Sequence, residues 1–254
     1  MKKMNNNIIW FPDPLLAWEY FNEAFLSGEG GLPFVFHTTT ATYVYDLVFG
    51  IVDPRLPNNI DFGKLFNYSS AKWTLLVSNY LDRYVMDNTK REVTSLHKKG
   101  LVYNYSMPFT NNHSHGKKCL LSVVFSKRCN ETNPTISVYL RASEVTKRLI
   151  FDFLLIQRIG EYVYGNNNFK MVFHVNQMFN DNTVLLMYHA YKDIKGILKN
   201  KKDKRSIKLL ENLNIFLEKP IDSIKYKIHK RVAKVLQKGI KKPKTLVKDC
   251  KLPF

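Results

Sequence analysis

The sequence predicts an α+β fold, with one mostly antiparallel sheet packed by helices. Three observations carry the class. The chain has 254 residues, 45% of them hydrophobic and 13% aromatic, so it can bury a sizeable core and general disorder is excluded. Several segments are rich in β-branched and aromatic residues, as strands are. Others place apolar residues at helical spacing.

Taken in order, Leu15 to Leu26 sets Leu15, Trp18, Phe21, Phe25 and Leu26 on one helical face, with Asp13 and Pro14 as a start signal and Gly28, Gly30 and Gly31 ending it. Thr39 to Val52 reads as one long strand. Pro54 and Pro57 mark Asp53 to Asn59 as a loop. Ser69 to Met86 reads as a single helix capped by Ser69 or Ser70, with Trp73, Leu76, Val77, Tyr80, Leu81 and Tyr84 on one face. From Gly100 strands follow at Leu101–Met107, Cys119–Ser126 and Thr135–Leu140, the last two joined by a hairpin loop at Lys127–Pro134. Val145 to Tyr164 reads as a long buried helix. Lys170–Val175 and Val184–Tyr191 read as two more strands, and helical stretches at Ile207–Leu217 and Ile221–Leu236 precede a Pro-containing tail.

Charge divides the chain in two. Lys192 to Phe254 holds 20 basic and 6 acidic residues, net +14, while residues 1–191 hold 19 and 15, net +4. The expected organisation is therefore a core, 1–191, and a basic extension, 192–254. Such a field attracts phosphate, in nucleic acid, in nucleotides or on an anionic partner surface. A solvated lysine-rich tail in an Asn/Lys-biased chain has the same composition. No apolar run reaches the length that spans a bilayer, and the first residues carry no secretory apolar stretch. Cys119, Cys129 and Cys250 are too few for a disulfide framework. These features lead us to expect a soluble, cytoplasmic protein without membrane contact, in the host cytoplasm if the chain is viral.

Generic motifs are sparse: the chain has no GxGxxG, Walker-type loop, GxSxG or HExxH. His113, His115 and Cys119 have metal-ligand types, but no second ligand pair follows at zinc spacing, so no metal is expected. Cys119 to Asp181 is more informative. A cysteine opens a strand, a second strand returns and ends in Arg141-Ala142-Ser143-Glu144, and a long helix carries Asp152 eleven residues beyond Arg141. This stretch resembles the core of the thymidylate synthase and deoxycytidylate hydroxymethylase superfamily. The likeness extends weakly upstream, through the first helix, the Gly-rich loop and the long strand.

The resemblance implies a homodimeric enzyme that adds a one-carbon unit to carbon 5 of a pyrimidine deoxynucleoside monophosphate, using 5,10-methylenetetrahydrofolate. Cys119 would be the nucleophile. Arg141, Ser143, Lys98 and Lys99 would hold the phosphate, the two lysines reaching across a dimer. Asp152 would read the base, and Glu144, in place of the turn's aspartate, would contact the folate. An amide at the reading position suits uracil, whereas a carboxyl suits the amino group and ring nitrogen of cytosine. The resemblance thus favours dCMP over dUMP, with water completing the reaction to 5-hydroxymethyl-dCMP, a chemistry typical of phages that modify their DNA.

The sequence also departs from the family. Ala142 replaces the turn serine, and lysines replace paired arginines without the bidentate fork. The sugar-binding H-x-Y falls on Gln177-Met178-Phe179, while a literal His189-Ala190-Tyr191 lies inside the last expected strand. The segment Ser69–Asp87 has no glutamate to match the family's catalytic group; Asp82 could stand in for it geometrically. Simpler roles exist for each residue: a small core thiol at Cys119, a strand-end charge at Arg141, and an Arg148–Asp152 pair four residues apart on one helix face. Two other readings stay open. One is a catalytically degenerate protein of the same fold that binds nucleic acid through its basic extension or serves structurally. The other is an unrelated α+β nucleic-acid-binding protein.

Overall fold

The computed structural model describes residues 8–27, 32, 35–37, 41–57, 62–66, 68–109, 119–181, 187–192, 195–196 and 252. His113, His115 and the two helices expected in the basic extension lie outside them. The elements are β1 (Ile9–Phe11), α1 (Pro14–Ser27), β2 (Val35–His37), β3 (Ala41–Ile51), α2 (Phe62–Leu65), α3 (Ser70–Tyr80), α4 (Arg83–Lys98), β4 (Tyr103–Pro108), β5 (Leu120–Lys127), β6 (Thr135–Glu144), α5 (Arg148–Tyr164) and β7 (Lys170–Asp181). The sheet runs β1-β3-β7-β6-β5-β4, with β2 also on β3. The β2–β3, β3–β7, β4–β5 and β5–β6 pairings are antiparallel, and β1–β3 and β6–β7 are parallel. The α+β class holds, in a mixed sheet.

Helix α5 packs on one face of the sheet. Its residues 149–157 are all buried, which requires a helix apolar nearly all round. Phe153 meets Phe49 and Phe173 edge-on, and those two rings stack at 5.3 Å. Gly160 is a genuine close approach, because any Cβ there would run into the buried Phe169 ring. Helix α1 starts as its sequence signal says, with Leu16 N donating to Asp13 Oδ1 at 2.9 Å. It is tied to the β6–α5 turn by Trp18 Nε1 on Thr146 O, 2.7 Å, and by Asn22, which bonds Val145 O and accepts from Thr146 Oγ1.

Two expectations need correction. The single helix from Ser69 is two helices: Ser69 caps α3, and Asp82 caps α4 by accepting from Val85 N at 3.0 Å. An N-cap needs non-helical backbone, so Asp82 ends one helix where it starts the next. The expected strand Val184–Tyr191 is helical over 187–192, which also places His189-Ala190-Tyr191 on a helix. Tyr188 and Tyr191 are buried there against Trp18, edge-on at 5.2 Å. Their hydroxyls donate to Glu23 and Glu19, and Lys192 pairs with Glu23 at 2.6 Å. The expected boundary at 191/192 thus falls within a helix anchored to α1.

One irregularity shapes the site. Along β6 the buried positions Ile136, Val138 and Leu140 are followed by Ser143, not by Ala142. Along β7 they go from Val175 to Met178, and along β3 from Val44 to Leu47. The skipped residues are level with one another in the register: Arg141 on β6, Asn176 on β7 and Asp46 on β3, the last with φ 54°. Beside them the β5–β6 register shifts between Leu120 and Ser122. A shared slip of this kind reverses which face each following side chain takes.

Candidate functional site

The slip turns Ser143 inward. On an unbroken two-residue period it would lie opposite the face of Leu140; instead it is buried and its Oγ donates to Asp152 Oδ2 at 2.8 Å. Asp152 is 8% exposed. Burial pushes its carboxyl up to about 6, against the opposing pull of the Arg148 charge and the Ser143 hydroxyl. A buried carboxyl without a full ion pair holds its proton more tightly, which is the direction seen.

Arg148 stands one helical turn before Asp152. Burial works against its charge, but the electrostatic field of Asp152, Tyr68, Tyr80 and Cys119 more than offsets that and holds it protonated. The largest favourable contribution is that of Asp152, four residues on along the same helix face. Tyr80, the last residue of α3, accepts the backbone N–H of Cys119 at 3.3 Å, and burial raises its own hydroxyl. Tyr68 lies flat on Phe151, with ring centroids 3.9 Å apart. Cys119 is a free, half-buried thiol.

Ser143 thus bonds Asp152, and Cys119 and Asp152 both act on Tyr80. Arg141 N–H donates to Cys119 O at 2.7 Å, and its side chain is exposed at the slip. Ser143, expected at the phosphate, faces Asp152 instead. Glu144, expected at the folate, caps α5: Oε1 accepts from Thr146 N, and Oε2 from Lys147 N and Arg148 N, at 2.7–3.2 Å. A carboxylate at a helix N-terminus is stabilised there by the exposed N–H groups and the helix dipole. Lys98 and Lys99 stand at the far end of α4, about 22 Å along its axis from the end adjoining Tyr80, so within one chain they lie away from Cys119. Gln177 donates to Tyr45 OH at 3.3 Å, and Phe179 stacks on Tyr43.

Nothing in the sequence marks Tyr80 and Tyr68 as site groups. For Arg148 the one signal is its spacing from Asp152, which reads equally as a surface pair. Among the described residues no group of three His, Cys, Asp or Glu residues has the placement to hold a metal, and no helix is long and apolar enough to cross a membrane. No family model matches the chain, and no curated protein matches it.

Proposed function

We propose that the chain is a divergent thymidylate synthase-fold transferase that acts on carbon 5 of a pyrimidine deoxynucleoside monophosphate, with dCMP preferred to dUMP. The observation that carries this reading is that Tyr80, which holds the Cys119 N–H, also lies in the field of the buried Asp152, so that a free thiol and a buried carboxyl flank one residue. Asp152 accepts from the exocyclic amino group of cytosine and, up to about pH 6, where it keeps its proton, donates to the ring nitrogen. Ser143 orients that carboxyl by holding Oδ2. The Cys119 sulfur adds to carbon 6, forming the S–C6 bond and making carbon 5 nucleophilic. Tyr80 fixes the strand start that carries the thiol.

Methylenetetrahydrofolate would supply the one-carbon unit. Glu144, with both oxygens committed to α5, does not fit as its ligand. Arg141, whose N–H donates to Cys119 O, would be the phosphate cation within one chain, and a second copy of the chain would have to bring Lys98 and Lys99 to the phosphate, as the expected homodimer allows. The test is release of tritium from carbon 5 of dCMP and of dUMP in the presence of methylenetetrahydrofolate. Release from dCMP that is lost in Cys119→Ser supports the reading; no release from either nucleotide overturns it. The +14 charge of residues 192–254 favours a second reading, a non-catalytic protein that binds nucleic acid.

A further inference from the structure

The face of the sheet opposite α5 carries a groove of about 580 Å³ across β4, β5 and β6, lined in part by Asn104, Ser126, Lys127, Arg128, Ser137 and Tyr139. Val102, Tyr103 and Val124 complete the lining, so polar and apolar side chains alternate along it, and Tyr139 is its exposed ring. Tyr139 is 38% exposed and stacks on His174 of β7 at 4.6 Å and 9°. Its cross-strand partner on the other side is Ser122, too small to cover the second face of the ring.

Cations gather at one end of this groove. Lys127 and Arg128 end β5, and Tyr103, paired with Lys127 in the register, bonds His97 Nδ1 through its hydroxyl at 3.2 Å. Tyr103 is buried and also bonds Tyr164 of α5, so this contact lies on the α5 side; exposed Lys98 and Lys99 follow His97 in the chain, at the same end of the sheet as Lys127. Burial and the nearby Lys127 charge both hold the His97 imidazole below its usual value. None of Lys98, Lys99, Lys127 and Arg128 is paired with a carboxylate among the described residues. A basic rim, a trough and a ring with an open face are what a single-stranded nucleic acid needs: point charges for phosphates and a platform for a base.

We infer that this groove binds single-stranded nucleic acid, its phosphates on Lys98, Lys99, Lys127 and Arg128 and a base on Tyr139. Charge complementarity selects this occupant. The interface is on the folded core and not in the basic extension; it shares Lys98 and Lys99 with the proposed pyrimidine site, whereas Lys127, Arg128 and Tyr139 belong to the groove alone, so Tyr139→Ala tells the two apart.

The test is fluorescence anisotropy of the full chain with a labelled 20-nucleotide oligothymidylate over a range of NaCl concentrations. Lys98→Gln, Lys99→Gln, Lys127→Gln and Arg128→Gln combined should reduce the slope of log affinity against log salt by about 3, at roughly 0.7 for each phosphate no longer neutralised. Tyr139→Ala should weaken binding about 5- to 100-fold with the slope unchanged. A control of equal charge change, Lys199, Lys201, Lys202 and Lys204 all to Gln, should do less than the rim variant. Equal effects of rim and control, or full binding by Tyr139→Ala, overturn the inference. So does sedimentation equilibrium in which Tyr139→Ala dissociates a dimer and leaves oligothymidylate binding intact, because the face then belongs to a second copy.

Discussion

Asp152 sets the pH behaviour at the scale of single residues. In the folded chain it keeps its proton to about pH 6, whereas the unfolded chain releases it near 3.8. Between those values the folded state binds more protons, so stability falls as pH rises through the window and is level above it. The loss is roughly 3 kcal/mol, at about 1.4 kcal/mol per unit. Asp152→Asn has no charge to desolvate and still accepts from Ser143. It should melt about 2 to 8 °C above the natural chain at pH 7.5, with the gap closing at pH 4; a gap constant across pH would contradict the assigned burial. The same amide should move base preference from dCMP towards dUMP, read as the ratio of kcat/KM values. Arg148 was hidden from sequence reasoning because its neighbours arrive from Tyr68, Tyr80, Cys119 and Asp152, which no local pattern connects.

At the scale of elements, two contacts decide how α5 is held. Glu144 satisfies three N–H groups of its first turn, so Glu144→Ala should cost about 1 to 3 kcal/mol in urea unfolding. Glu144→Gln should recover only part of that, having one acceptor oxygen. Gly160→Ala should cost a similar 1 to 3 kcal/mol, roughly, because Phe169 is buried and the added carbon has no room. A neutral result there would mean that α5 stands off β7. The long periodic elements were legible: α1, β3, β5, β6 and α5 lie within a few residues of where their patterns put them. The three-residue β1 and β2 were not, because three residues leave no period; β1 also reaches β3 forty residues along the chain, whereas β2 pairs with it locally. The α3–α4 break was written in Asp82, an N-cap residue inside an apolar period that outweighed it. Residues 187–192 are too short and apolar for period to separate helix from strand; the packing of Tyr188 and Tyr191 on Trp18 decides for helix. The shared slip at Asp46, Asn176 and Arg141 left no mark in the sequence, yet it is what brings Ser143 to Asp152.

At the scale of the whole molecule, charge is partly neutralised where the core meets the basic extension. Lys192 and Lys195 sit on Glu23 and Glu19, beside two tyrosine hydroxyls that donate to the same carboxylates. Exposed pairs of this kind are worth up to about 1 kcal/mol and are screened by salt. Glu19→Gln with Glu23→Gln should therefore lower the melting temperature in ~50 mM NaCl and bring it closer to the natural chain's in ~1 M; an equal deficit at both salts would mean that the hydroxyl bonds, not the ion pairs, hold the segment. The charge asymmetry was legible from composition alone, whereas the gathering of Lys98, Lys99, Lys127 and Arg128 at one end of the sheet needed the fold.

Cys119 and Asp152 are proposed to serve one pyrimidine ring, and everything said of catalysis depends on that. Tritium release from [5-³H]dCMP with methylenetetrahydrofolate, measured for the natural chain, Cys119→Ser and Asp152→Asn, tests it most directly. Release by the natural chain, abolition by Cys119→Ser and a shift towards [5-³H]dUMP in Asp152→Asn are the predicted results. Absence of release from both nucleotides in the natural chain, or release undiminished in Cys119→Ser, contradicts it.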